Sequence, residues 1–301
     1  MRPSAHLAFV LLALSALVAC LPLPPASGMA TAVPSSVPLT LERLRNSAYQ
    51  VLFPDGSLRT IPLTDGVYRP DPQVSPGEYV LAQLGEQVAW GDLNNDGLED
   101  AVVTLVLDFG NARTLTALVP WLNQNGMAIQ PAPAFLEDLP VLHSLTIEDG
   151  EITLQATTHG VGDHPCCPSQ EVSKAYRLLG NRLWLTHLTS RATATAPVRV
   201  ITIESPADNA RVTIPLTVTG RVTVAPFEST LVYKILTADG EVLAQGPLMV
   251  EAPEMGAPGT FTLTLGADAP ALHGPVRVEF WDFSPADGSP LAMAAIYLVI
   301  E

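Results

Sequence analysis

The chain has 301 residues, which is enough for two ordinary domains that each bury a core. Acidic residues outnumber basic ones by 30 to 15, so the formal net charge at pH 7 is −15. Binding to the phosphates of nucleic acid requires clustered basic side chains, whereas the chain has just two lysines, Lys174 and Lys234. The composition therefore excludes nucleic acid as a partner.

The first twenty residues predict an export signal and a lipid anchor. Arg2 precedes an apolar run from Ala5 to Ala19, which has the length of a signal peptide core and is too short to span a bilayer. The sequence Leu17-Val18-Ala19-Cys20 resembles the bacterial lipobox, where signal peptidase II cuts before a cysteine that carries diacylglycerol. We therefore expect residues 1–19 to be removed and the protein to be extracytoplasmic, lipid-anchored to the bacterial cell membrane through Cys20. An ordinary signal peptide followed by a chance cysteine is the alternative.

The mature chain predicts two folded regions with flexible segments before and between them. Residues 20–38 are rich in proline and small side chains, which is typical of a tether. Residues 190–197 are a second stretch of small side chains with nothing to pack, and they predict a linker. These segments leave a first region at 39–189 and a second region at 198–301.

The first region predicts an α+β domain that is mostly β. Short apolar segments alternate with turn signals such as Glu148-Asp149-Gly150. Within Leu39–Gln50, Leu44 and Ala48 share one helical face, and Thr40 is a residue type that caps helix N-termini. We therefore expect one short helix followed by antiparallel strands.

The second region predicts an immunoglobulin-like β-sandwich, which makes the fold class of the whole chain mainly β. About seven short strands in roughly 100 residues are typical of two packed antiparallel sheets. In the sixth of them, Val276, Val278 and Phe280 alternate with Arg277 and Glu279, as in a strand with one apolar face. The predicted strands are Val198–Ile203, Thr213–Thr219, Thr230–Thr237, Val242–Val250, Gly259–Leu265, Val276–Trp281 and Ala292–Ile300.

Several segments of the second region resemble a known family. They are Ile203-Glu204-Ser205-Pro206, Ile214–Gly220, Phe227–Leu231 and Phe283–Ser289. These segments look like the immunoglobulin-like domain of bacterial spore-germination proteins, and the resemblance runs through the whole second region. It implies an extracytoplasmic interaction module without catalytic residues. It does not imply a germination role, because such domains occur in many exported proteins.

The first region is similar to an uncharacterised domain of bacterial envelope lipoproteins. The similar segments are Leu63–Tyr68, Gly91–Ala101 and Thr158–Gly160, followed by Cys166–Ser169. Between them, Val161-Gly162-Asp163-His164-Pro165 stands where the resemblance leads us to expect a run of the Pro-Asn-Asp-Pro-Met type. The resemblance implies an envelope location and no settled activity.

The loop from Asp92 to Asp100 predicts a calcium site. Oxygen-bearing side chains stand at its positions 1, 3, 5 and 9, and a glycine at position 6 permits a tight turn. Position 12, where an EF-hand has a bidentate glutamate, is Val103, so the loop is more similar to the calcium loops of FG-GAP-type β-structures. We expect a structural Ca²⁺. The alternative is a hairpin loop that satisfies its own backbone amides. The predicted ligands are Asp92, Asn94, Asp96, the carbonyl of Leu98, and Asp100.

Adjacent cysteines predict a second site. Cys166 and Cys167 are the thiols that remain once Cys20 carries lipid, and an exported protein favours their oxidation to a vicinal disulfide. Together with His159 and His164 they also make a set of four side chains suited to zinc or copper, although their spacing is not that of common zinc sites. Unpaired thiols, and a thiol- or metal-dependent envelope enzyme centred on this cluster, are the alternatives.

The sequence predicts a binding or structural module and not an enzyme. It contains no Gly-x-Ser-x-Gly elbow, no His-Glu-x-x-His motif and no glycine loop for phosphate, so no catalytic residue is assigned. The expected partners are the membrane, through the N-terminal lipid, and an unidentified component of the envelope or cell wall.

Overall fold

The computed structural model describes residues 37–53, 56–71, 80–110, 114–136, 139–164, 166–266 and 272–301. The predicted signal peptide, Cys20 and the tether as far as residue 36 lie outside these residues. The described residues belong to one compact unit. No helix in this described part has the length and apolar character needed to cross a bilayer.

Among the described residues, all the regular elements of the first region are strands except one short helix. Its elements are α1 (Leu41–Arg45), β1 (Ala48–Leu52), β2 (Leu58–Pro62), β3 (Val67–Tyr68), β4 (Leu81–Gly91), β5 (Asp100–Asp108), β6 (Thr114–Gln124), β7 (Met127–Ile129), β8 (Ala134–Phe135), β9 (Val141–Glu148), β10 (Glu151–Thr158), β11 (Gln170–Leu179) and β12 (Arg182–Arg191).

The second region continues with strands that are antiparallel, apart from β14, and with a short 3₁₀ helix. Its elements are β13 (Ile201–Ser205), β14 (Ala210–Val212), β15 (Leu216–Val222), a 3₁₀ helix (Phe227–Ser229), β16 (Thr230–Thr237), β17 (Val242–Glu251), β18 (Gly259–Leu265), β19 (Gly274–Phe283) and β20 (Pro290–Ile300). The predicted fold class, mainly β, is confirmed.

The first region packs in three layers around β4, β5 and β6. On one face of β5, Ala101, Val103 and Leu105 pack with the core of α1 and the β1–β2 hairpin. On the other face, Val102 packs with residues of the β9–β12 sheet such as Leu154. Because both faces of β5 are buried, its sequence is an almost continuous apolar run and not an alternating one.

The predicted helix at Leu39–Gln50 is shorter in the structure, where α1 ends at Arg45. Thr40 caps it as expected, since its hydroxyl accepts a hydrogen bond from the N–H of Arg43 at 3.2 Å. The chain then enters β1 at Ala48, and Tyr49 is fully buried against the central sheet. The prediction was wrong at its C-terminal end because tertiary burial of the β1 strand outweighs the local helical pattern.

The second region forms a sandwich of two layers. One layer contains β13, β15 and β18, the other contains β16, β19 and β20, and β17 connects them because it pairs with both β18 and β16. Their shared core includes Val218, Phe261 and Phe280, and the two phenylalanine rings lie 4.8 Å apart. Each of the seven predicted strands overlaps an observed one. The short β14, which pairs in parallel with the end of β20, was missed.

The sheet of the second region continues into the first. His187 and Leu188 of β12 pair with Ala294 and Met293 of β20, so the strand order runs β16-β19-β20-β12-β11-β10-β9. The strand β12 extends to Arg191, into the predicted linker at 190–197. The division into two domains stays a prediction, and the structure adds that one sheet spans it.

Candidate binding cleft

The joined sheet buries charged side chains that belong to the outer face of the sandwich. Arg277 and Glu279 of β19 lie opposite the apolar core face, yet they are only 2% and 5% exposed. They are buried because β12 brings Trp184 and Leu185 of the first region against Arg277. A buried ion pair therefore stands where the two regions meet.

The hydrogen bonds of Arg277 tie three strands together. Its Nε donates to Oε1 of Glu279 at 2.5 Å, and its two terminal nitrogens donate to the hydroxyl of Tyr297 on β20 and to the carbonyl of Leu185 on β12. Burial raises the pKa of the Tyr297 hydroxyl, although the Arg277 charge opposes this effect. A buried ion pair is tolerated where such hydrogen bonds complete its geometry.

Glu279 also fixes the orientation of a tryptophan. Its Oε2 accepts a hydrogen bond from Nε1 of Trp281 at 2.7 Å. The Trp281 ring stacks on Phe283, with centroids 5.6 Å apart and planes only 4° from parallel, and Nζ of Lys234 lies 5.4 Å from the ring centroid. The indole is thus held on several sides before any ligand arrives.

Trp184 is the second oriented ring. The guanidinium of Arg182 lies 4.2 Å from its centroid, which is the geometry of a cation–π contact. On another side the ring meets the β16–β17 turn at Gly240, where an added Cβ would lie 2.7 Å from Cη2 of Trp184. Gly240 has a positive φ of 92°, so both its backbone and this close approach require glycine.

These side chains lie beside an open cleft with a volume of about 1260 Å³, which is above the roughly 300–1,000 Å³ of most small-molecule sites. We call it the cleft; it is lined mainly by the β1–β2 hairpin, residues 130–135, residues 179–185 and parts of β19 and β20. The backbone N–H of Gln50 donates to Oε1 of Gln130 at 2.9 Å, and Nε2 of Gln130 donates to the Gln50 carbonyl at 2.8 Å. The Ala132 N–H donates to the Asn181 carbonyl at 2.8 Å. The segment 130–135 is therefore hydrogen-bonded to β1 on one side and to the β11–β12 turn on the other.

Sequence reasoning missed this site. Both lysines of the chain and two of its four tryptophans line or adjoin the cleft, namely Lys174, Lys234, Trp184 and Trp281. Their rarity was a signal that could have singled them out. They stand on four different strands, however, and only the pairing of β12 with β20 brings those strands into one sheet.

The predicted calcium loop is closed by its own hydrogen bonds. Asp92 accepts from the N–H groups of Asp96, at 3.1 Å, and Gly97, at 2.7 Å. Oδ1 of Asn94 also accepts from the Asp96 N–H at 3.1 Å, and the Asp96 carboxylate accepts from the N–H of Leu98 at 2.8 Å. This is the pattern of consecutive Asx turns.

Asp100, the last predicted ligand, is engaged elsewhere. It is fully buried, and its two oxygens accept from the N–H groups of Asn123, at 2.8 Å, and Leu93, at 2.9 Å. Burial raises the pKa of this carboxyl. Among the described residues, no three His, Cys, Asp or Glu side chains are grouped so that they could hold a metal ion. These hydrogen bonds are the ones that the self-bonded alternative requires, and calcium stays a prediction.

The cysteine loop is held by Asp163. Its carboxylate accepts from the N–H groups of Gly160 and Ser169, both at 2.8 Å, and from the Ser169 hydroxyl at 2.9 Å. The hydrogen bond from Gly160 is the main reason that the pKa of Asp163 is lowered. Cys166 and Cys167 are exposed and joined in a disulfide.

The disulfide between Cys166 and Cys167 removes the two thiolates on which the alternative metal site depends. The predicted cluster of His159, His164, Cys166 and Cys167 needs thiolate ligands, since the thiolate is the form of cysteine that binds metal. Both sulfur atoms are used in the disulfide. Metal binding at this cluster therefore requires prior reduction.

Comparison with known families supports the reading of the second region. Residues 200–289 match the model of a family described as the immunoglobulin-like domain of bacterial spore germination. The match includes β13 to β19 and stops just before β20, the strand that pairs with β12. It confirms the immunoglobulin-like prediction. The similarity of the first region to envelope lipoproteins stays a prediction. No curated protein and no solved structure matches the chain.

Proposed function

We propose that this protein is a lipid-anchored bacterial envelope protein that binds a ligand in the cleft, and that it acts by recognition and not by catalysis. One observation carries the proposal: side chains from both regions converge on an open cleft with their orientations already fixed. Binding sites typically combine apolar and aromatic walls with a few oriented polar groups.

The fixed orientation of the side chains supports binding in a further way. Association costs free energy when side chains lose their freedom on contact with a ligand. Trp281 and Trp184 are already held by Glu279, Phe283 and Arg182 in the free protein. Binding of a ligand in the cleft therefore costs little further free energy for ordering these side chains.

The proposed location rests on the N-terminal sequence. Lipid at Cys20, preceded by a removable signal peptide, would hold the protein at the outer face of the cytoplasmic membrane or in a second membrane. The immunoglobulin-like match to residues 200–289 is consistent with an exported module. The ligand would then be a component of the envelope.

Intrinsic fluorescence tests the binding proposal. The chain has four tryptophans; Trp184 and Trp281 line the cleft, whereas Trp90 and Trp121 pack in the core of the first region. The lipid-free mature protein (Cys20→Ser) is titrated with soluble fragments of host cell wall and with fractions of host envelope extract. We expect a saturable response that persists in Trp90→Phe and falls in Trp281→Phe. The absence of a saturable response, or one carried by Trp90, contradicts the proposal.

Lipid labelling tests the anchor. In a bacterial host fed radiolabelled palmitate, we expect label on the wild-type protein and none on Cys20→Ser, which should leave the membrane fraction. Cys166→Ser is the matched control, because it also removes one thiol and should keep the label. An unlabelled wild-type protein in the soluble fraction contradicts the anchoring proposal.

A further inference from the structure

We infer that the ligand of the cleft is an anionic amphiphile, that is, a carboxylate or phosphate group carried on an alkyl chain. The inference rests on the proposed binding function and specifies the chemistry of the ligand. Two properties of the cleft support it, the sign of its charge and the position of its apolar side chains.

Cationic side chains outnumber acidic ones among the residues that line the cleft, although the protein as a whole is acidic. Lys174, Arg182 and Arg277 line it, and Lys234 lies next to the lining ring of Trp281. The acidic residues that line it are Glu279 and Asp239. Cations therefore outnumber carboxylates here, whereas the whole chain carries a formal charge of −15. A local excess of one sign attracts a ligand of the opposite sign.

Arg182 is the cation best placed to meet an entering anion. Glu279 already neutralises Arg277, and Lys174 is only 6% exposed. Arg182 is exposed at the end of the β11–β12 turn, and the Trp184 ring holds its guanidinium from one side. A planar guanidinium can donate two parallel hydrogen bonds to a carboxylate or phosphate.

Exposed apolar side chains line the same cleft as these cations. Leu52 and Leu58 of the β1–β2 hairpin line the cleft while 47% and 63% exposed, and Phe135 lines it at 39% exposure. Large aliphatic side chains left this exposed in a cluster mark a surface that gains free energy when an apolar partner covers it. An alkyl chain would cover these side chains, whereas a sugar ring with its hydroxyl groups would leave them partly wet.

The backbone around the cleft argues against an extended peptide as the ligand. Peptides that add to a sheet need a strand with an unpaired edge. In the part of the cleft that the structure describes, β19 is paired with β16 and β20, and β11 is paired with β10 and β12. The second edge of β12 is occupied by the bridge between Arg182 and Ala132 and by the hydrogen bond from Arg277 to the Leu185 carbonyl, and the side chain of Gln130 bonds the Gln50 backbone of β1. Between the pairings of β20 with β12 and β14, the Tyr297 N–H donates to Asp208 and its carbonyl accepts from the Asn209 N–H. Recognition therefore falls to side chains.

Matched alkyl probes test this inference. The lipid-free mature protein (Cys20→Ser) is titrated, below the micelle concentration, with dodecanoate, dodecyl phosphate and dodecyl maltoside, and tryptophan fluorescence is measured. Acetate and inorganic phosphate are the probes without a chain. We expect both anionic alkyl probes to bind at least about tenfold more tightly than the maltoside, and the chainless anions not to bind at the same concentrations.

Two pairs of variants locate the contacts. Arg182→Gln should weaken binding of dodecyl phosphate about fivefold, while Arg221→Gln, which removes another exposed arginine that does not line the cleft, should leave it unchanged. Leu58→Ser should weaken binding of all three alkyl probes, and Met255→Ser, at a site of similar exposure in the second region, should not.

The outcomes separate this inference from the proposed function. Equal affinity for the maltoside and the anionic probes, or no effect of Arg182→Gln, would overturn the anionic ligand. If no alkyl probe binds but a wall fragment or an acidic peptide still changes the fluorescence of Trp281, the inference fails and the binding function stands. If nothing changes that fluorescence, both fail.

Discussion

Replacing Asp100 by alanine should destabilise the first region far more than replacing any other acidic residue of its loop. Asp100 is fully buried, and its carboxylate is the acceptor for the N–H groups of Leu93 and Asn123. An orphaned buried donor costs about 1–3 kcal/mol, and here two are orphaned. Part of this cost is offset, because removing the carboxylate also removes an ionisable group that is poorly solvated when buried. The net loss should be about 3 kcal/mol of unfolding free energy.

Urea unfolding followed by tryptophan fluorescence and far-ultraviolet circular dichroism measures this loss. Asp100→Asn, which keeps one acceptor oxygen, should lose about half as much as Asp100→Ala. Asp96→Ala is the control in the same loop, since Asp96 is exposed and should cost about 0.5 kcal/mol. If Asp100→Ala costs no more than Asp96→Ala, the buried carboxylate does not anchor the loop, and our account of the loop is refuted.

Three further predictions concern the loop, the ion pair and pH. If calcium binds the loop, a chelator lowers the melting temperature of the wild-type protein and has no effect on Asp96→Ala; an unchanged wild-type value retires the calcium prediction. Arg277→Met leaves Glu279 buried without its partner and should cost about 3–5 kcal/mol in urea unfolding, whereas Arg277→Met combined with Glu279→Leu should recover most of this. In the double-mutant cycle of Arg277→Met and Glu279→Leu, losses that simply add would contradict a coupled pair. Burial raises the pKa of Asp282, despite the Arg199 charge 2.7 Å away. The contribution of Asp282 to the free energy of unfolding is therefore complete below the pKa of the unfolded state, at about pH 4. It is lost as the pH rises through the higher pKa that Asp282 has in the folded state. Asp282→Asn should flatten the fall in unfolding free energy above about pH 4, and an unchanged slope would disprove the assignment.

Local signals in the sequence were read correctly. The turn at Asp149-Gly150 forms between β9 and β10 with φ angles of 50° and 75°, the left-handed pair that short hairpins require. Strands with one buried face, such as β18, were found with their correct bounds because alternation and tertiary burial agree there. Thr40 was identified as a helix cap because its hydrogen bond to the N–H of Arg43 spans only three residues and depends on no distant partner.

Features that depend on distant partners were not predictable. Alternation in β19 marks Arg277 and Glu279 as belonging to the face opposite the core, and nothing in that pattern shows that β12 covers them. The Asp92–Asp100 loop was ambiguous for a chemical reason, because the oxygens that would bind Ca²⁺ are also good acceptors for backbone N–H groups. Only the positions of Leu93 and Asn123 reveal where the Asp100 carboxylate is used.

Hydrogen–deuterium exchange tests most directly whether the cleft is the binding site. Exchange is measured on the lipid-free mature protein with and without an envelope fraction or alkyl probe that changes its fluorescence. We predict slower exchange in residues 130–135 and 179–182, which line the cleft, and unchanged exchange at 92–98 and 159–164. Slower exchange confined to residues 92–98 and 159–164, or to other residues that do not line the cleft, would contradict binding in the cleft.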